Sequence, residues 1–135
     1  MTEPAISPEL DELCTSLIGL CTDLLDADGS LDVTLATDAD GEFMSFADDD
    51  AESCYRAACD HIADLGAACT RYAIAADGLV IAADGEPASA IVFEFAERGM
   101  DHAWSGYVPY RRDADGALEV SGPEPGGAAV LLFAP

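Results

Sequence analysis

The stretch AIVFEFAERGMDHAW, Ala90 to Trp104, decides how this chain folds. Two runs rich in β-branched and aromatic residues flank Glu97-Arg98-Gly99, the composition of a β-hairpin. A three-residue loop with Gly99 in the left-handed region avoids the positive φ that a two-residue Arg98-Gly99 loop would force on Arg98. In the three-residue register Glu94 faces His102 and Val92 faces Trp104, all on one side of the sheet. In the two-residue register Phe95 stands opposite His102 and Phe93 opposite Trp104. A slip of one residue therefore decides whether a carboxylate and an imidazole meet beside the indole.

Other strands are read outward from this hairpin. Five Asp-Gly dipeptides, at Asp28, Asp40, Asp77, Asp84 and Asp115, tolerate the positive φ of tight turns and are expected mostly between antiparallel strands. They bound extended runs at Leu31 to Thr37, Glu42 to Phe46, Arg71 to Ala76 and Leu79 to Ala83. Ala88 to Ala96, Asp101 to Arg111 and Ala117 to Val120 follow. After the loop SGPEPGG the nearly all-apolar AAVLLFA reads as an inner strand covered on both faces.

Two helices precede and interrupt these strands. Ser7, Pro8 and the acids Glu9, Asp11 and Glu12 form a cap, a first-turn proline and a charge pattern suited to a helix N-terminus. Leu10, Leu13, Cys14, Leu17, Ile18, Cys21, Leu24 and Leu25 then keep steps of three and four to about Asp26. The second helix starts at Asp49 or Asp50, with Glu52 completing a capping box if Asp49 is the cap. Its stripe reads Ala51, Tyr55, Ala58, Ile62, Leu65 and Cys69, and Glu52, Arg56 and Asp60 form an outer ladder. The order α-β-β-α followed by a strand meander predicts a single α+β domain over residues 1–135, with both helices on one face of a mainly antiparallel sheet. Much of its apolar content is Ala, so Phe43, Phe46, Tyr55, Ile91, Phe93, Phe95, Trp104 and Leu131 to Phe133 are the expected large anchors.

Charge restricts function more than it defines it. The chain has 135 residues and a formal charge of −22, from 27 acidic residues against five Arg and no Lys. Such a field repels nucleic-acid backbones and anionic lipid surfaces, and it favours solubility and basic partners. Mimicry of a nucleic acid and adaptation to salt are the other uses of it. The N-terminus lacks a secretory signal and no apolar run approaches the ~20 residues of a membrane span, so a cytoplasmic location is expected.

Reactive residues are sparse. Cys14, Cys21, Cys54, Cys59 and Cys69 contain no C-x-x-C pair, and their spacings grip zinc poorly, which predicts buried thiols in a reducing compartment. Asp-Ala-Asp-Gly repeats lack the first and twelfth ligands of an EF-hand, so no metal centre and no cofactor are expected. Asp23, Asp26 and Asp28 crowd the negative end of the first helix with no cation nearby in sequence, which raises a weak cation site as a hypothesis. His61 is expected to pack at the edge of the second helix, and Arg111 and Arg112 to balance neighbouring acids. Ser105 lacks the strand-turn-helix setting of a hydrolase nucleophile, and no glycine-rich phosphate loop is present.

The leading expectation is a non-enzymatic binding or interaction protein, a homodimer using a sheet face or groove lined by Val92, Trp104, Val108 and Tyr110, with a basic protein as a further candidate partner. The alternatives are a small enzyme with Glu94 and His102 as its acid/base pair, with Tyr72, Tyr107 and Tyr110 close enough to donate hydrogen bonds, and an acidic nucleic-acid mimic.

Overall fold

The computed structural model describes residues 7–29, 31–39, 43–46, 50–81 and 84–133. The Asp40-Gly41 turn, the alternative cap Asp49 and the side chain of Ala51 lie outside them. Helix α1 spans Pro8–Asp28: Ser7 is its N-cap, with Oγ accepting from Leu10 N at 3.1 Å, and Pro8 opens its first turn. Gly29 ends it at φ 74°, donating its N–H to Leu25 O at 2.9 Å. Helix α2 spans Ala51–Leu65 and is capped by Asp50, whose carboxylate accepts from Ser53 N at 2.7 Å. With Asp50 as cap the third helical position is Ser53, so Glu52 does not complete a capping box. It pairs instead with Arg56 at 3.2 Å, largely in solvent, where such a bridge contributes little. The stripe ends at Leu65; a short 3₁₀ turn, Gly66–Ala68, carries the chain on, so Cys69 is buried from the connection rather than from the helix.

The strands are β1 (Val33–Thr37), β2 (Phe43–Phe46), β3 (Arg71–Ile81), β4 (Pro87–Glu97), β5 (Ala103–Arg112), β6 (Leu118–Val120) and β7 (Glu124–Ala129). They form one antiparallel sheet in the order β2-β1-β3-β4-β5, with β6 and β7 sharing the outer edge of β5. The α+β class, the element order and the antiparallel pairing are those expected from the sequence.

Three details differ. Asp77-Gly78 is no turn: β3 runs through it in unbroken register with β4, Asp77 opposite Ile91 and Gly78 opposite Ala90. Gly78 keeps a negative φ, and the reversal falls at Asp84-Gly85, where Gly85 has φ 85°. Eleven continuous pairs outweigh a local turn preference that a single dipeptide supplies. The last strand is also displaced, since Glu124–Ala129 pairs with β5 while Leu131, Leu132 and Phe133 leave the sheet and pack on the second core cluster. Phe133 meets the Tyr72 ring edge-on at 5.1 Å, and Leu132 N donates to Tyr72 Oη at 3.1 Å.

The third difference concerns the helices, which occupy opposite faces rather than one. Strand residues alternate in direction. Ala36, Ala73, Ala75, Ile91, Phe93 and Val108 pack with Leu10, Cys14, Leu17, Cys21 and Leu25 of α1. Their neighbours in the pleat, Val33, Leu35, Tyr72, Ile74 and Ala96, pack with Cys54, Ala58 and Ile62 of α2. A sheet whose central strands are apolar in both phases must be covered twice. Ile91 and Phe93 are buried anchors as expected, whereas Phe43 is 42% exposed at the sheet edge.

Distant cations close both helix ends. Arg112 donates to Leu25 O at 2.8 Å and lies 3.6 Å from Asp26, so the positive charge missing from the local sequence of α1 arrives from β5. Arg98 donates to Cys69 O at 2.8 Å and Gly66 O at 2.7 Å while its guanidinium covers Phe133 at 4.5 Å. At the other end of α1, Glu97 accepts from Ser7 Oγ and from Arg71 Nε, each at 2.8 Å, and Asp38 accepts from the backbone of Thr70 and Arg71. Partial burial opposes ionisation of Asp38, but these N–H groups and the Arg71 guanidinium hold its carboxyl below the usual range. Arg71 and then Ser7 do the same for Glu97.

A pH-dependent contribution to stability follows. Carboxyls whose folded pKa is lowered stabilise the native state above their unfolded value of about 4 and lose that contribution as pH falls through the folded value. Arg71→Met is therefore expected to cost about 1.5–3 kcal/mol at neutral pH. As pH falls through the lowered folded values of these carboxyls the variant and the wild type should converge, as urea titrations at neutral and acid pH will test. A deficit that persists undiminished in acid would mean that Arg71 acts through packing alone.

Candidate binding groove

The α2 face of the sheet is only partly covered. Helix α2 lies over β1 and β2, and the C-terminal Leu131 to Phe133 fill the end near Tyr72. Beyond them β3, β4 and β5 leave a groove of about 310 Å³, bounded by Tyr55 of α2 on one side and Gly126 of β7 on the other. Its floor is Ile74, Ala76, Val80, Val92, Glu94, Ser105 and Tyr107, residues that share one phase of the pleat.

Glu94 supplies the charge of this surface. It stands opposite Ser105, and its carboxylate accepts from Tyr55 Oη at 2.6 Å. Burial, reinforced by this hydrogen bond, pushes the Tyr55 phenol well above its ordinary value, so it stays protonated as a donor. Ser105 Oγ donates to Gly127 O at 3.1 Å. Cys59, one helical turn beyond Tyr55, is half-buried, and burial raises its thiol as well. The four remaining cysteines are buried thiols, and Cys14, pushed up to about 12, and Cys21, to about 11, chiefly by burial, act as apolar side chains.

Neither register considered for the hairpin is adopted. Glu94 pairs with Ser105 and Phe95 with Trp104, so the strands meet further along and the connection covers Arg98 to His102. Gly99 does have positive φ, at 99°, but Arg98 N donates to Thr70 O and the chain runs on through Met100 before pairing resumes. The outcome has the parity of the aromatic alternative. His102 therefore does not meet Glu94; its ring lies 4.5 Å from the Trp104 ring, and its Nδ1 is 3.0 Å from Ala103 O.

The expected binding surface divides in the same way. Val92 lines the groove, whereas Trp104, Val108 and Tyr110 are on the α1 face, Val108 buried in the core and Tyr110 donating to Asp77 at 2.5 Å. Of the tyrosines expected near Glu94, Tyr107 lines the groove and Tyr72 is buried beneath the C-terminal segment, but the donor is Tyr55. Tyr55 was legible as part of an apolar stripe, and only the placement of α2 turns its hydroxyl toward β4. His61 packs near Phe46, ring centroids 6.3 Å apart.

A second cavity, of about 250 Å³, lies between α1 and the β1 edge. Its cation, Arg71, is already committed to Glu97 and Asp38. Among the described residues no group of acids, histidines and cysteines is arranged to hold a metal, and no helix is long and apolar enough to cross a membrane. The class defined by fold and surface is thus an acidic α+β protein with an apolar sheet groove ending in a carboxylate. No protein-family model, curated protein or solved structure matches the chain.

Proposed function

We propose that this chain is a non-enzymatic binding protein whose sheet groove receives a basic, partly apolar segment of another protein. The groove of about 310 Å³ carries the reading, because it joins an apolar floor to the Glu94 carboxylate. The charge balance supports it: at −22 the molecule attracts cations, and all five Arg have partners within the chain. Exposed acids sit on both helices, among them Glu9, Asp11, Asp23, Glu52, Asp60 and Asp64, and the helices lie on opposite faces. That distribution suits long-range attraction of a basic partner better than a one-sided imitation of a phosphate row.

Self-association is the second reading, favoured by Leu79 and Ile81, which are 72% and 69% exposed on the protruding end of β3. One experiment separates the two. Titration of the ¹⁵N-labelled protein with an extended peptide of alternating Lys and Val is expected to shift the amides of Ile74, Val92, Glu94 and Tyr107. Raising NaCl from about 0.05 to about 0.2 M should weaken it several-fold. Shifts scattered over both helices, or an equal response to a Glu/Val peptide, would remove the reading. A dimer mass in sedimentation, with the groove amides silent to peptide, would instead support self-association.

A further inference from the structure

We infer that the polar end of the groove, formed by Glu94, Ser105 and Tyr55, is an anchor for an arginine side chain of the partner. The inference rests on the binding reading above and names the group that is recognised. Hydrogen-bond accounting carries it. The Tyr55 proton is spent on Glu94 at 2.6 Å, and the Ser105 proton on Gly127 O at 3.1 Å. What these groups still offer is lone pairs: the second carboxylate oxygen, for which no protein donor is found among the described residues, and the Ser105 hydroxyl oxygen. Glu94 and Ser105 are direct cross-strand partners, which places their side chains about 5 Å apart on the same face. Apart from the Tyr107 hydroxyl, which can act either way, this end of the groove therefore asks for donors.

Several chemical classes satisfy a donor requirement, and the surroundings choose among them. A guanidinium carries five N–H donors in a planar fork and no acceptor, so it can reach two neighbouring acceptors at once. It is more weakly hydrated than an ammonium and gains from contact with aromatic rings, two of which, Tyr55 and Tyr107, line the groove. Its aliphatic stem suits Ile74, Ala76 and Val92 on the floor. The occupant comes from another chain, because no Arg of this one lines the groove: Arg71 pairs with Glu97, Arg98 with the Cys69 and Gly66 carbonyls, Arg111 with Glu119, Arg112 with Leu25, and Arg56 with Glu52.

The test uses three peptides of alternating Val and X, with X as Arg, Lys or citrulline, the last having the shape of arginine without its charge. Affinities come from groove-amide titrations of the full chain. The Arg peptide is expected to bind about 10- to 100-fold tighter than the citrulline peptide, with Lys between them. Glu94→Gln should erase most of that ratio while leaving the citrulline peptide unaffected; Tyr55→Phe should reduce it; and Asp115→Asn, a remote exposed acid, should leave it intact. Equal binding of Arg and citrulline peptides in the groove of the wild type would overturn the anchor and leave the binding groove standing. Loss of the ratio in Asp115→Asn as strongly as in Glu94→Gln would also overturn it, by showing diffuse attraction. Silence of the groove amides toward every peptide would overturn the anchor together with the reading beneath it. Should Glu94→Gln lose its fold, seen as collapsed amide dispersion, Ser105→Ala, which removes the second acceptor, should reduce the ratio, and an undiminished ratio there would overturn the anchor.

Discussion

Truncating Leu17 to Ala is expected to lower the unfolding free energy by about 2–5 kcal/mol, toward the upper end of that range. Leu17 is fully buried, and the sheet beneath α1 presents Ala36, Ala73 and Ala75. Small strand residues bring the helix close, so the volume of this core comes from the helix side. An alanine set over alanines leaves a void that neither layer can fill without moving the whole helix. For a domain whose total stability is about 5–15 kcal/mol, that loss is a large fraction. Leu79→Ala is the control: the same side chain is deleted, but Leu79 is 72% exposed, and the change should stay within about 0.5 kcal/mol. Urea unfolding with an unchanged denaturant slope checks both values. Equal costs at the two sites would show that α1 is not seated on the sheet as described.

Gly106→Ala is expected to cost about 1–3 kcal/mol through overpacking. A Cβ at this position would stand 2.6 Å from Phe93 Cζ and 2.9 Å from Glu124 O. The first neighbour is the tip of a packed ring and the second is backbone of β7, so neither yields cheaply. The register of β5 with β7 is irregular between Ser105 and Gly106, which concentrates the strain on the short outer strand. Amides of Glu124 to Ala129 should therefore lose hydrogen-exchange protection before those of β3 and β4. Adding Phe93→Leu should recover part of the loss, giving a favourable coupling in a double-mutant cycle, but not all of it because Glu124 O remains. Additive costs for Gly106→Ala and Phe93→Leu would argue against the contact.

The groove was only partly legible. Glu94 and Tyr107 stood out as a charge and an aromatic among apolar neighbours, and Val92 was placed on a binding face. Their true companions, Tyr55 and Ser105, come from a helix 39 residues from Glu94 and from a hairpin register shifted past both alternatives. The shift arises where local turn chemistry competes with tertiary contacts: Gly99 takes its positive φ, but Arg98 is held by Thr70, Cys69 and Gly66, and the turn lengthens around it. For the same reason Trp104 joins the α1 face and Glu94 the other. The opposite arrangement needs a change of parity, which nothing in the hairpin sequence forbids.

Local physical chemistry in the sequence determined the elements themselves: the Ser7 cap and the Gly29 stop of α1, the apolar period of both helices, and the extended character of nearly everything after Cys69. These depend on neighbours a few residues away, where capping, periodicity and steric preference act. Tertiary structure alone decided which face each helix covers, that β3 continues through Asp77-Gly78, that Leu131 to Phe133 leave the sheet, and that Arg112 closes α1 from 87 residues away. Each of those outcomes is a competition between long-range burial or pairing and a weak local preference. A pleat of period two turns any one-residue difference in that competition into a change of face.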